Sequence, residues 1–202
     1  MKAMLICAAL TAASLTLSLT GCAGVSTDVR AAPADTRMQG EHSYALVRSP
    51  LQDGLPDHME YETLIRAELV KYDFADVARE RAHYLLSIAY DTRLAAIKVK
   101  SADCAQQGCS GGGEGAFSLF GRHAYQHSLT LRFFEQTSGS EVYTVSAVSE
   151  DHDADPLHAI PYLVKSALAQ FPFADHADWR VKLRADAADG SPKVVSMKPV
   201  QP

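Results

Sequence analysis

Two alternating segments separated by a short turn place the strongest constraint on how this chain can fold. Residues 126–135 read QHSLTLRFFE and residues 141–149 read EVYTVSAVS. The apolar positions that share one face are Leu129, Leu131 and Phe133 in the first segment and Tyr143, Val145 and Ala147 in the second. The intervening Thr137-Ser138-Gly139 is typical of a turn. Successive strand residues point to opposite faces, so the pattern predicts a β-hairpin with one apolar face.

Further strands and two helices surround this hairpin. Residues 42–48 (HSYALVR) and 84–90 (YLLSIAY) alternate as strands do. A helix is predicted after Asp57, which with Glu60 resembles a capping box. A second helix runs to Phe171-Pro172, and Pro161 favours a start near Ala159. The order predicts an α+β fold, a two-layer domain with a small, mostly antiparallel sheet and two main helices on one face.

The first 22 residues, MKAMLICAALTAASLTLSLTGC, have the plan of a secretory signal. One basic residue, Lys2, precedes an uncharged apolar run. A transmembrane helix is the alternative, but residues 3–19 are at the short limit of a membrane span and no basic stop follows. We therefore predict a signal peptide over residues 1–21.

The signal ends in Leu19-Thr20-Gly21-Cys22, which resembles the lipobox of bacterial lipoproteins. The resemblance implies that Cys22 becomes an acylated N-terminus, with an ordinary cleaved signal as the rival interpretation. Two or three acyl chains hold a protein to a bilayer almost permanently. Ala23, rather than Asp, follows the cysteine, which favours the outer membrane with the chain facing the periplasm.

The remaining chain divides by composition. Residues 22–40 are small and polar and are predicted to be an acylated N-terminus and flexible tether. Residues 41–180 form the single α+β domain, and residues 181–202 are predicted to be a C-terminal tail. Within the domain, residues 101–124 form a long Gly- and Ser-rich loop, a kind of segment that is often functional or disordered.

Of the four cysteines, Cys104 and Cys109 remain after Cys7 leaves with the signal and Cys22 is acylated. In an oxidising compartment, two thiols this close in sequence are expected to form a disulfide. Half of a zinc site is the alternative, but no further cysteine of the mature chain could complete it.

Composition excludes one class of partner. The formal net charge is −5, from 19 basic and 24 acidic residues, and no segment concentrates Lys and Arg. A nucleic-acid partner is therefore not expected.

The chain resembles the small envelope lipoproteins built on domain of unknown function 4136. The likeness covers residues 22–173 and depends on the lipobox, Ala82-His83-Tyr84 before a strand, the Gly-rich loop, the strand pair SLTLRFFEQTSGSEVYTVSAVS and a helix ending in Phe-Pro. It implies an anchored periplasmic α+β domain without an established reaction, and it supplies no catalytic residues.

Three patterns could carry chemistry, and each has a simpler interpretation. Ser110 stands in G-x-S-x-G, but neither a strand before it nor a helix after it supports a nucleophile elbow. Asp151, Asp153 and Asp155, with His158 nearby, have the spacing of the first calcium-loop ligands, but Pro156 stands where a Gly is needed. His123 and His127 have the spacing of helical zinc ligands in a segment that reads as a strand. We therefore predict no enzyme activity, no cofactor and no metal.

Two functional hypotheses remain. The first is a non-enzymatic binding or scaffold module that contacts an unknown envelope protein or lipid through residues 101–124 or an exposed sheet edge. The alternative is a small-ligand or lipid binder with a pocket between sheet and helices. Its lining, or the partner contact, would use Tyr84, Tyr90, Phe133 and Tyr143.

Overall fold

The computed structural model describes residues 24–32, 38, 41–48, 58–95, 123–173 and 176–200. These residues form eight strands and two α-helices, with one-turn 3-10 helices at Val70–Tyr72 and Arg79–Arg81. In chain order the elements are β1 Val25–Ala31, β2 Ser43–Val47, α1 His58–Leu69, β3 Ala75–Asp76, β4 Tyr84–Leu94, β5 Tyr125–Glu135, β6 Glu141–Asp151, α2 Ile160–Ala167, β7 Asp178–Ala185 and β8 Pro192–Pro199. None of the helices in these described ranges has the length and apolar character needed to cross a bilayer.

All eight strands belong to one sheet, in the order β3-β2-β4-β5-β6-β1-β7-β8. Strand β2 is parallel to β3 and to β4, and the other neighbouring pairs are antiparallel. The α+β class is confirmed, but the expectation of a small, mostly antiparallel sheet is wrong: the sheet is large and mixed. The strands that the sequence analysis missed come from the segments predicted to be tether and tail. The parallel pairs arise because α1 carries the chain from the end of β2 back to the end of the sheet at which β2 begins.

The predicted hairpin is confirmed as β5 and β6. Glu135 N donates to Ser140 O at 2.9 Å, and Gly139 N donates to Glu135 O at 2.8 Å. Gly139 has a φ of 69°, a left-handed conformation that glycine adopts without steric cost. The register shifts between Phe133 and Phe134, which adds a bulge near the turn.

The tether prediction for residues 22–40 is wrong over residues 25–31. Strand β1 lies between β6 and β7 and pairs with both, for example Val29 with Ala147 and with Trp179. Its sequence VSTDVRA alternates, and Thr27, Val29 and Ala31 are buried on the core side. The described domain therefore starts at Gly24 and not at residue 41.

The tail prediction for residues 181–202 is also wrong. Strand β7 continues to Ala185 and buries Val181 and Leu183, and β8 pairs with β7 along its length. The turn between them is closed by a hydrogen bond from Asp186 N to Ser191 O at 2.7 Å. The sheet thus extends the domain to residue 199.

The core lies between one face of the sheet and the two helices. Alternate residues of β4, β5, β6, β1 and β7 form one cluster with the buried sides of α1 and α2. Phe133, fully buried on β5, has ring centroids of Phe74, Tyr143 and Phe171 within 6.1 Å of its own. This aromatic group joins the centre of the sheet to the segment after α2.

A buried carboxylate connects α1 to the sheet. Glu62 of α1 is 4% exposed and accepts hydrogen bonds from the Nε and Nη2 atoms of Arg48, the latter at 2.5 Å. Arg66 Nη2 donates to the same carboxylate at 3.2 Å. The hydrogen bond from Arg48 lowers the pKa of Glu62 and outweighs the opposing effect of burial.

We expect Arg48→Ala to lower the free energy of unfolding by about 1–3 kcal/mol, because a buried charge loses its principal donor. The folded pKa of Glu62 lies below its unfolded value of about 4.3, so its contribution is present above that pH and is lost as pH falls through the folded pKa. The cost of Arg48→Ala should therefore shrink in acid. Urea unfolding of both proteins across this pH interval measures it.

The control for this prediction is Arg30→Ala. Arg30 forms an ion pair with Asp178 on the surface, with side chains 79% and 42% exposed. Exposed ion pairs contribute little to stability, so this variant should unfold almost as the wild type does. Equal losses in the two variants would contradict a special role for the buried pair.

Candidate functional site

Three of the four aromatic residues predicted to contact a partner or ligand are inside the core. Tyr84, Phe133 and Tyr143 are at most 1% exposed, and the Tyr143 hydroxyl accepts a hydrogen bond from Phe173 N at 3.1 Å. These side chains cannot reach a partner in this fold, so that prediction is corrected for them. Their alternation marks the packed face of the strands, and the same pattern would mark a pocket lining.

Tyr90 is half-buried and stacks on Tyr61 of α1, with ring centroids 4.0 Å apart. A cavity beside this pair, between α1 and strands β2 and β4, has a volume of about 10 Å³. That volume is at the lower limit for one water molecule. The cavity beside Tyr90 therefore has no room for a small ligand.

The remaining predicted site residues, Cys22, Cys104 and Cys109, lie outside the described residues, as does Ser110. Of the loop 101–124, only His123 and Ala124 are described. Acylation, the disulfide and a contact role of the loop stay predictions.

A row of polar side chains crosses the core face near one end of the sheet. Register pairs Thr92 with His127, His127 with Ser149, and Ser149 with Thr27, across β4, β5, β6 and β1. His127 is 1% exposed, Ser149 4% and Thr27 0%. The next row inward is apolar, with Leu129, Ala147 and Val29 at its centre. On β1, β5 and β6, the buried polar side chains therefore lie at the end of the core where β1 begins.

His127 is the centre of a compact group with Asp151 and His158. Its Nε2 atom is 3.3 Å from Asp151 Oδ1, and His158 Nε2 is 2.7 Å from Asp151 Oδ2. The two imidazole rings meet edge to face, with centroids 5.1 Å apart. We call His127, Asp151 and His158 the His-Asp cluster.

The fold holds the buried histidine of this cluster firmly. His127 lies on β5 between two long strands, and its Nδ1 atom is 2.9 Å from Thr92 Oγ1. Its Nε2 atom is also 3.0 Å from the backbone oxygen of Asp153. The ring is fixed on both sides, so Nε2 faces the loop that follows β6.

The aspartates of that loop mainly organise its backbone. Asp151 Oδ1 accepts from Asp153 N at 2.8 Å, Asp153 Oδ1 from Asp155 N at 3.0 Å, and Asp155 Oδ1 from Leu157 N at 3.0 Å. Such local hydrogen bonds are typical of Asx turns. The calcium-like spacing therefore reflects turn formation, and Asp151 also joins the His-Asp cluster. Asp153 borders the cluster, with its backbone oxygen 3.0 Å from His127 Nε2 and its Oδ2 atom 3.8 Å from His158 Nδ1.

Asp151 and His158 shift each other's pKa in opposite directions. Burial of the His158 ring acts to lower its pKa, but the hydrogen bond with Asp151 and the nearby negative charges outweigh burial and raise it. Burial likewise acts to raise the pKa of Asp151, but hydrogen bonds from His158 and Asp153 N lower it. Each group thus favours the charged form of the other.

In the sequence, the members of this cluster belong to two separate patterns, the histidine pair and the acidic loop. His123 and His127 were considered as a zinc pair, but residues four apart in an extended segment are about 13 Å apart and cannot share an ion. His127 instead meets the Asp151 and His158 of the acidic loop. The signal that could have found this is the hairpin register, which places Asp151 opposite Tyr125.

Comparison with known proteins gives a likeness of fold and no family. No family model and no curated protein matches the chain. A PelC dodecamer from Paraburkholderia phytofirmans is similar at 13% identity over 71% of this chain and 95% of that chain, with a TM-score of 0.44. A PDZ domain protein from Parabacteroides distasonis is similar at 12% identity over 80% of this chain, with a TM-score of 0.50. This chain spans 40% of the latter protein. The second likeness concerns the fold alone, and the first supports no conclusion.

Proposed function

We propose that this chain is a lipid-anchored protein of the cell envelope, held in the outer membrane and facing the periplasm, with a non-enzymatic binding or scaffold role. The observation that carries the proposal is the Leu19-Thr20-Gly21-Cys22 sequence at the end of an apolar signal. The resemblance to domain of unknown function 4136 lipoproteins supports the same function.

The start of the described fold adds a geometric consequence. Gly24 is two residues after Cys22, and two extended residues span at most about 7 Å. An acyl group on Cys22 would therefore hold the domain directly at the membrane surface. The end of the sheet nearest the bilayer would carry Val25, the β7–β8 turn and Asp151, since these lie at the same end of their paired strands.

The two edge strands of the sheet are poorer templates for a partner strand than the sequence suggested. Strand β3 is two residues long, and β8 is bounded by Pro192 and Pro199 and carries Lys193 and Lys198. Proline and lysine on an edge discourage pairing with another strand. A partner is therefore expected to contact the membrane end of the sheet or residues 101–122 in preference to an edge strand.

Cys22→Ser is expected to move the chain from the membrane fraction to the soluble fraction, because the acylated thiol is absent. The measurement combines radiolabelled palmitate incorporation with fractionation after a high-salt wash. Cys104→Ser is the matched control and should remain labelled and membrane-bound. Label and membrane retention in Cys22→Ser would contradict the anchor.

The binding role is tested by crosslinking in intact cells, with the wild type and Cys22→Ser compared by mass spectrometry. A discrete partner captured by the anchored chain, and reduced in Cys22→Ser, is the expected result. If neither chain captures a discrete envelope component, the scaffold role is wrong even though the anchor stands.

A further inference from the structure

We propose that the His-Asp cluster is a binding site for a divalent transition-metal ion, with zinc as the best fit. The ligand atoms that His127, Asp151 and His158 offer all lie within 4.8 Å of one another. The proposal does not depend on the lipid anchor or on the scaffold role.

The separations of the ligand atoms are near those around one small ion, and the shortest of them must lengthen when the ion binds. Zinc binds imidazole nitrogen and carboxylate oxygen at about 2.0–2.2 Å, so two ligand atoms on a tetrahedral ion lie about 3.3–3.5 Å apart. His127 Nε2 and Asp151 Oδ1 are 3.3 Å apart, and His158 Nε2 and Asp151 Oδ2 are 2.7 Å apart. A small rotation of the exposed His158 ring would admit the ion.

The surroundings of His127 are those of a metal ligand. A ligating histidine usually donates its other ring N–H to an oxygen that fixes the ring. Thr92 Oγ1, 2.9 Å from His127 Nδ1, can accept that hydrogen bond when an ion binds. Nε2 would then exchange its present contact with the Asp153 backbone oxygen, at 3.0 Å, for the ion. Because the ring is 1% exposed and held within the sheet, this ligand is positioned before any ion arrives.

The ligand types favour zinc over calcium or magnesium. Two imidazoles and one carboxylate match borderline divalent ions, whereas calcium and magnesium prefer oxygen ligands throughout. His158 and Asp151 are 39% and 37% exposed at their side chains, so water can reach the cluster and supply a fourth ligand.

The test is a zinc titration of the full-length chain purified in detergent. It is done in a Cys104→Ser, Cys109→Ser background, so that thiolates cannot contribute a second zinc site. Isothermal titration calorimetry should find one zinc per chain, and His158→Ala should weaken binding at least about 10-fold. Asp151→Asn should do the same, while calcium and magnesium should show no saturable binding at this site.

His152→Ala is the matched control. His152 is an exposed histidine of the same loop, but its Nδ1 atom is 3.1 Å from the backbone oxygen of His123 and it is not a member of the cluster. This variant should bind zinc as the background protein does. The visible absorption of bound cobalt, which reports the ligand set, should persist in His152→Ala and disappear in His158→Ala.

Two results would overturn the proposal. One is the absence of saturable zinc or cobalt binding by a background protein that unfolds cooperatively. The other is zinc affinity that is equal in His158→Ala, Asp151→Asn and His152→Ala. Either would mean that the cluster is a hydrogen-bonded ion pair that stabilises the loop after β6.

Discussion

Phe133→Ala is expected to lower the free energy of unfolding by about 3–5 kcal/mol, which is the usual cost of emptying a fully buried phenylalanine site. Phe133 is 0% exposed, and its ring contacts residues of three different parts of the chain. They are Phe74 after α1, Tyr143 on β6 and Phe171 after α2. These neighbours belong to separate elements, so they cannot all move to fill the cavity.

The next residue provides the control. Phe134 points to the opposite face of the sheet, is half-buried, and has the Arg132 guanidinium 5.6 Å from its ring centroid. Phe134→Ala loses surface contacts worth about 1 kcal/mol, and no buried cavity forms. Guanidinium unfolding followed by the fluorescence of Trp179 measures both variants. Similar losses at the two positions would contradict the assignment of faces in β5.

The hairpin could be predicted from sequence because its signal is local. Alternation, a turn and a second alternation lie within 25 residues, and the apolar face of each strand pairs with that of the other. Register then follows from the turn, and it places His127 beside Ser149 with Asp151 two residues further along the same face. Two of the three members of the His-Asp cluster, His127 and Asp151, could therefore be brought together from the sequence.

The third member, His158, could not be placed from the sequence, because no local rule says where a loop returns. His158 reaches the cluster through the Asx turns of residues 151–157, and these fold the loop back over β5. A polar segment of this kind is equally typical of a solvent-exposed loop. Alternation does place His127 on the same face as Leu129, but no sequence pattern shows that the loop after β6 covers it.

The terminal strands were missed for a related reason. Strand β1 pairs with β6 and β7, more than 110 residues away in the chain, so nothing near it indicates a partner. Its seven residues alternate, but small and polar residues dominate the surrounding segment and are typical of a tether. Strand β8 is bounded by prolines and half-exposed, so its pattern resembles a tail. Long-range pairing, which composition does not encode, completes the sheet.

Val29→Asn tests the placement of β1 directly and is expected to cost about 2–4 kcal/mol, from lost apolar packing and a buried amide without partners. Val29 is 1% exposed and lies between Ala147 and Trp179. Arg30→Asn changes the next residue on the opposite, solvent-exposed face and should leave the unfolding midpoint close to that of the wild type. A flexible tether would tolerate both substitutions equally. A large difference in unfolding midpoint between these neighbours requires a strand with one buried face, and would place β1 inside the folded domain.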